Sequence, residues 1–116
     1  SLQYTDVWHD LEGFKKHTGI ELFHDHFAIE NYTETANLVA ALDLVITIPT
    51  AVGHLAGSMG VETWALVPQG SPWRWPQDER NFWYCSVKQY HQKERHQWGP
   101  VLKQVEEDFR KWLQST

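Results

Sequence analysis

The segment from Leu44 to Val67 limits the possible folds more than any other part of the chain. Leu44-Val45-Ile46-Thr47-Ile48 is an almost unbroken β-branched and aliphatic run, the pattern of a central strand covered on both faces in a parallel sheet. Pro49 has no amide hydrogen and stops the ladder. Val52, Leu55, Ala56 and Met59 then recur near a period of 3.6 until Gly60. Thr63-Trp64-Ala65-Leu66-Val67, closed by Pro68, reads as another buried strand. Strand, helix, strand over 44–67 is a βαβ unit, and such units cross over right-handed. The expected class is therefore α/β, a Rossmann-like three-layer lobe with a small, mostly parallel sheet.

The flanking sequence extends this unit. Val7, Leu11 and Phe14 predict a helix over 6–18, with Thr5 or Asp6 as its cap and Gly19 as its stop. Ile20-Glu21-Leu22-Phe23 fits a short strand, and His24-Asp25-His26 a loop. Asn31 with Glu34 has capping-box spacing before a helix over 33–42 that buries Ala36, Leu38, Val39 and Leu42. Residues 68–84 carry three prolines, one glycine and several aromatics without a period, which predicts an ordered loop. Ser86-Val87-Lys88-Gln89-Tyr90 fits a last, less buried strand. From Pro100, the stripe Val101, Val105, Phe109 and Trp112 marks an amphipathic helix.

Composition bounds the function. With 116 residues the chain is sized for one lobe over 1–116, and its opening without methionine predicts a piece of a longer protein. Ten Lys and Arg against 15 Asp and Glu leave a net charge of −5, which disfavours a phosphate-backbone groove and hence nucleic-acid partners. A lone cysteine, Cys85, forms no internal disulfide; it fits a buried apolar position and a reducing, cytoplasmic setting. No apolar run approaches the roughly 20 residues needed to span a bilayer.

The turn Thr50-Ala51-Val52-Gly53-His54 carries the chemistry. A helix starting at the carboxyl end of a strand offers free amides and a partial positive charge, a natural diphosphate site. Thr50 adds a hydroxyl, Gly53 permits close backbone approach, and His54 can pair with a phosphate oxygen or protonate a leaving diphosphate. A capped structural turn with a hydrogen-bonded histidine accounts for the same residues. Trp73-Arg74-Trp75 forms a possible ligand loop, with Arg74 clamping phosphate and an indole stacking on a base or sugar; two core staples are the plainer reading. His24 and His26 alternate on a strand end and diverge, so no metal site is expected there. Lys93-Glu94-Arg95-His96 reads as an exposed charged turn. No nucleophile elbow, Gly-x-x-x-x-Gly-Lys loop or Gly-x-Gly-x-x-Gly fingerprint is present.

Thr35-Ala36-Asn37-Leu38-Val39-Ala40-Ala41-Leu42-Asp43-Leu44-Val45-Ile46-Thr47 running into Thr50–Gly60 resembles the carboxy-terminal, nucleotide-sugar-binding half of GT-B glycosyltransferases. The nearest likeness is to bacterial proteins in which tetratricopeptide repeats precede a domain similar to heptosyltransferases and, more distantly, O-GlcNAc transferases. Pro72-Trp73-Arg74-Trp75 and Phe82-Trp83-Tyr84 look like that group's loop. The likeness spans about 33–92 and implies a lobe that binds a nucleotide-diphosphate sugar as substrate, without cofactor or metal. It also implies that the acceptor and usually the base come from an absent amino-terminal lobe, so that this chain alone binds rather than catalyses. Many relatives carry an aspartate where this chain has Pro49, and that carboxylate's contacts do not carry over. A non-catalytic interaction or scaffold domain of the same fold is the alternative.

Overall fold

The structure, a computed structural model, describes residues 2, 7–24, 31–70 and 84–115. The chain divides into two compact units, Ser1–Ala41 and Leu42–Thr116.

The first unit is helical among the described residues. Helix α1 (Trp8–Thr18) ends as its sequence directs: Gly19 takes φ 74°, and its amide donates to Lys15 O at 2.7 Å. Its last turn carries Lys15, Lys16 and His17, favourable at the negative end of the helix dipole. The expected caps Thr5 and Asp6 lie outside the described residues; Val7 occupies the cap position and makes no side-chain bond. No residue of α1 is buried. Ile20–Phe23 is irregular and exposed rather than a strand. A strand needs a neighbour's ladder, and no described strand pairs with these residues. Helix α2 (Tyr32–Ala40) starts at Asn31, whose side-chain oxygen accepts from Thr33 N at 2.8 Å. Its buried positions are Thr35 and Val39, while Leu42 lies beyond the helix and is exposed.

The second unit holds the sheet: β1 (Val45–Thr47), β2 (Thr63–Val67) and β3 (Val87–His91), in that order and all parallel. Helix α3 (Ala51–Ser58) links β1 to β2, and α4 (Gly99–Ser115) follows β3. Every residue of β2 is buried, and its side chains alternate between two cores. Trp64 and Leu66 join Tyr90, Val101 and Val105, with Phe109 and Trp112 packed at the margin. Ala65 and Val67 join Val87 and Tyr84 on the other face, where α3 packs. The result is three layers, α3, sheet and α4.

The role of β1 differs from the expectation. Its run is not the central strand: β1 is three residues long, lies at the edge of the described sheet, and leaves Ile46 45% and Ile48 54% exposed. Ile46 pairs in register with Trp64, on the α4 face, and its place on the edge strand leaves it open to solvent. The strand after the loop is also more buried than expected, with Val87, Gln89 and Tyr90 all inside. Cys85 is exposed, because it sits in the turn that enters β3. Lys93–His96 forms the exposed turn expected, with His96 at φ 63°.

Candidate functional site

Parallel pairing puts the carboxyl ends of β1, β2 and β3 on one side of the sheet, where open α/β sheets bind ligands. The amino terminus of α3 opens on that side. Thr50 is extended (φ −137°, ψ 174°), and its carbonyl accepts from Gly53 N at 3.1 Å and His54 N at 3.4 Å. The amides of Ala51 and Val52 precede that ladder and are the donors the helix end presents. The Thr50 hydroxyl does not cap the helix. It lies 3.4 Å from the Thr47 hydroxyl, which donates to Ile48 O at 2.9 Å.

The structure thus brings Thr50, Ala51, Val52, Gly53 and His54 together on one helical turn, with different accessibility. Thr50 and Ala51 are exposed, whereas Val52 and Gly53 are buried. His54 is half-buried, and its Nδ1 lies 3.1 Å from the Tyr84 hydroxyl. The two rings meet edge to face with centroids 5.8 Å apart.

Tyr84 is held in turn by Gly57. A Cβ on Gly57 would fall 2.7 Å from Tyr84 Cγ and 2.9 Å from Val87 Cγ2, closer than side chains approach. Ser86 Oγ donates to Gly57 O at 3.3 Å. The glycine that lets α3 sit flat on its neighbours is therefore Gly57, and it fixes the height of the whole turn above the sheet. Elsewhere along the strand ends, buried Gln92 ties two loops together: its amide donates to Val67 O at 2.8 Å, and its Oε1 accepts from Gln69 N at 3.1 Å.

A second polar cluster lies on the opposite face, in a cavity of about 740 Å³ between β3 and α4. Asp108 Oδ2 accepts from Lys88 Nζ at 2.9 Å and Tyr90 Oη at 2.7 Å, and Oδ1 from Gln104 Nε2 at 3.0 Å. The Lys88 ammonium also lies over the Tyr90 ring, 4.9 Å from its centroid. Lys88 and Tyr90 together hold the Asp108 carboxyl below its usual range, and Asp108 raises Lys88. Burial, helped by the bond to Asp108, pushes Tyr90 up to about 12. Near neutral pH all three are locked in the form that binds the others, so none serves as a proton carrier. The cluster is a cross-link between strand and helix.

Trp73, Arg74 and Trp75 lie outside the described residues, as do Asp25, His26, Phe82 and Trp83. Among the described residues no three His, Cys, Asp or Glu side chains form a metal-holding group, and no helix is long and apolar enough to cross a membrane. Sequence reasoning named Tyr84 only within the loop likeness and missed its contact with His54, the role of Gly57 and the Lys88–Tyr90–Asp108 cluster. A signal existed for Gly57, since glycine inside Leu55-Ala56-Gly57-Ser58 weakens a helix unless packing requires it. Tyr84 stands 30 residues from His54, and no local pattern links them.

Comparisons of the chain with models of protein families, with characterised proteins and with solved structures yield no match.

Proposed function

We propose that residues 42–116 are the donor-binding lobe of a GT-B-type glycosyltransferase, with the diphosphate of a nucleotide sugar lying at the start of α3. One observation carries the reading. A parallel βαβ unit puts the start of α3 at the strand ends, with exposed Ala51 in its first position and His54 one turn behind. Amide donors preorganised at a helix start stabilise charge on a departing diphosphate without a metal. The likeness of 33–92 to the nucleotide-sugar half of those enzymes supports it. In this reading an amino-terminal lobe or tetratricopeptide repeats supply the acceptor side and the base. The fitting compartment is the cytoplasm, where an exposed thiol such as Cys85 stays reduced.

A scaffold domain that keeps the fold is the second reading. Pro49 favours it, standing where many relatives of the proposed family carry an aspartate, and so does the tie between His54 and Tyr84, which gives His54 a structural task. Calorimetric titration with UDP, GDP and ADP separates the two, since a scaffold gives no saturable heat with any of them. Ala51→Pro then locates the site. Proline fits the first position of a helix, and the extended backbone of Thr50 suits the residue before a proline, so the fold survives while one amide donor disappears. The donor-site reading expects a loss of about 1.5 to 3 kcal/mol in binding, the worth of one hydrogen bond to a charged group. Unchanged affinity moves the diphosphate away from α3.

A further inference from the structure

We propose that the cavity between β3 and α4 is a binding site for a neutral, hydroxyl-rich ligand of the carbohydrate class, separate from the diphosphate position at α3. It measures about 740 Å³, within the roughly 300 to 1,000 Å³ usual for small-molecule sites. Strand residues Lys88–His91 line it on one side. On the other, Pro100, Val101, Gln104 and Asp108 recur at helical spacing, so one face of α4 lines it over two turns. The turn between strand and helix contributes Lys93, Glu94 and Gln97, and no lining residue belongs to Thr50–His54.

The charges of the lining decide against an ionic ligand. Lys88 and Lys93 are matched by Glu94 and Asp108, so the cavity exerts no net pull on a phosphate, a carboxylate or an ammonium group. What it offers is hydrogen bonding of both kinds. The side chains of Lys93, Glu94 and Gln97 make no hydrogen bond or ion pair among the described residues, and in that order they supply donors, acceptors, and both at once. Gln104 spends one amide hydrogen on Asp108 and keeps its carbonyl and the other hydrogen. A hydroxyl likewise donates and accepts, and a sugar ring carries several of them beside C–H groups that suit Pro100 and Val101. An apolar ligand would strip these polar ends of water and return no bond.

The walls are fixed before a ligand arrives. Asp108 on the helix is bonded to Lys88 and Tyr90 on the strand, and Val101 and Val105 pack against the sheet beneath. Preorganised walls lower the cost of ordering on binding. The polar ends are solvated in the empty site, so each new hydrogen bond yields a small net gain, and affinities roughly in the millimolar range are expected. The site stands independently of the donor-site reading, because the two share no residue.

The test follows the glutamine side-chain amides in ¹⁵N–¹H spectra, assigned with Gln97→Glu and Gln104→Glu. Glucose, galactose, mannose, N-acetylglucosamine and maltose are added in turn, with inorganic phosphate and glycine as charged comparisons. At least one sugar is expected to shift the Gln97 and Gln104 signals along a saturable curve, while phosphate and glycine leave them in place. Glu94→Ala combined with Gln97→Ala changes two exposed residues, keeps Gln104 as the reporter, and should weaken that sugar about 10-fold. No saturable shift with any of the sugars overturns the proposal. So does a stronger response to phosphate or glycine, which would mark a site for a charged ligand, and so does equal sugar affinity in the double variant. UDP, GDP and ADP titrated into the same variant should bind as they do to the wild type; a loss there would overturn the separateness of the two sites.

Discussion

The two faces of the sheet are built on opposite plans. The α3 face is made of small residues, Ala56, Gly57, Ala65, Val67 and Val87, and the helix comes so close that a single added methyl group meets Tyr84. The α4 face is made of large rings, Trp64, Tyr90, Phe109 and Trp112, tethered by carboxylates. Glu62 accepts from the indoles of both Trp64 (3.3 Å) and Trp112 (3.0 Å), and Asp108 from Lys88 and Tyr90. Close fit of small groups gives position, and burial of aromatic area gives free energy. The candidate site lies on the face that has position, and the polar anchors lie on the face that has area.

Trp64→Ala should be the most damaging single change in this contrast. Trp64 is 4% exposed in the middle strand, and its loss empties the α4 face at a cost of about 3 to 5 kcal/mol in denaturant unfolding. Comparable damage comes from Val45→Asp, which buries an unpaired carboxylate at a position 2% exposed, whereas Ile46→Asp one residue on is expected to cost under about 1 kcal/mol. Equal melting of the Val45 and Ile46 variants would show that β1 has no solvent side.

Gly57→Ala tests the other plan. Helix propensity alone would gain just under about 1 kcal/mol, but overpacking against Tyr84 and Val87 costs about 1 to 3, so a net loss is expected. A more stable Gly57→Ala protein would mean that the close fit is not required. Because α3 must lift to admit the methyl group, this variant should also disturb the His54 ring signals, which Trp64→Ala should leave nearer their wild-type positions.

The smallest effect is a pH dependence confined to the α4 face. Asp108 is held low in the fold, so its contribution is complete above the unfolded carboxyl range near 4 and disappears as pH falls through its depressed folded value. Lys88 and Tyr90 are held high, so stability falls as pH rises past about 10, where the unfolded chain first gives up their protons. Asp108→Ala should remove the acid slope and the Lys88 share of the alkaline one, leaving the share that burial of Tyr90 sets, at a cost of about 1 to 2 kcal/mol, reduced because Lys88 is largely in water. An acid slope that persists in the variant would place its origin elsewhere.

Much of this architecture could be read from the chain. The two aliphatic runs and their Pro49, Gly60 and Pro68 punctuation placed both strands and α3, because period and punctuation are local properties. The stripe from Val101 to Trp112 likewise placed α4. Which strand is inner was not legible: Leu44–Ile48 is as apolar as Thr63–Val67, and only their pairing decides which has two neighbours. The same limit explains Ile20–Phe23, whose strand-like composition found no described partner. At the candidate site the turn Thr50–His54 was visible as a strand-to-helix junction. Its split into presented amides at Ala51 and Val52 and internally bonded ones at Gly53 and His54 follows from helix hydrogen bonding, which composition does not report. Tyr84 was invisible as a partner because it reaches His54 only through the close packing at Gly57.

The order β1-β2-β3 repeats the order of the chain, and that has a kinetic consequence. Each described strand docks on the one made just before it, so this part of the sheet can grow in step with synthesis. Of the described elements α4 comes last. Until it has emerged, Trp64, Leu66 and Tyr90 lack their cover, and a chain cut before Gly99 should expose a sticky aromatic ledge that the completed helix hides.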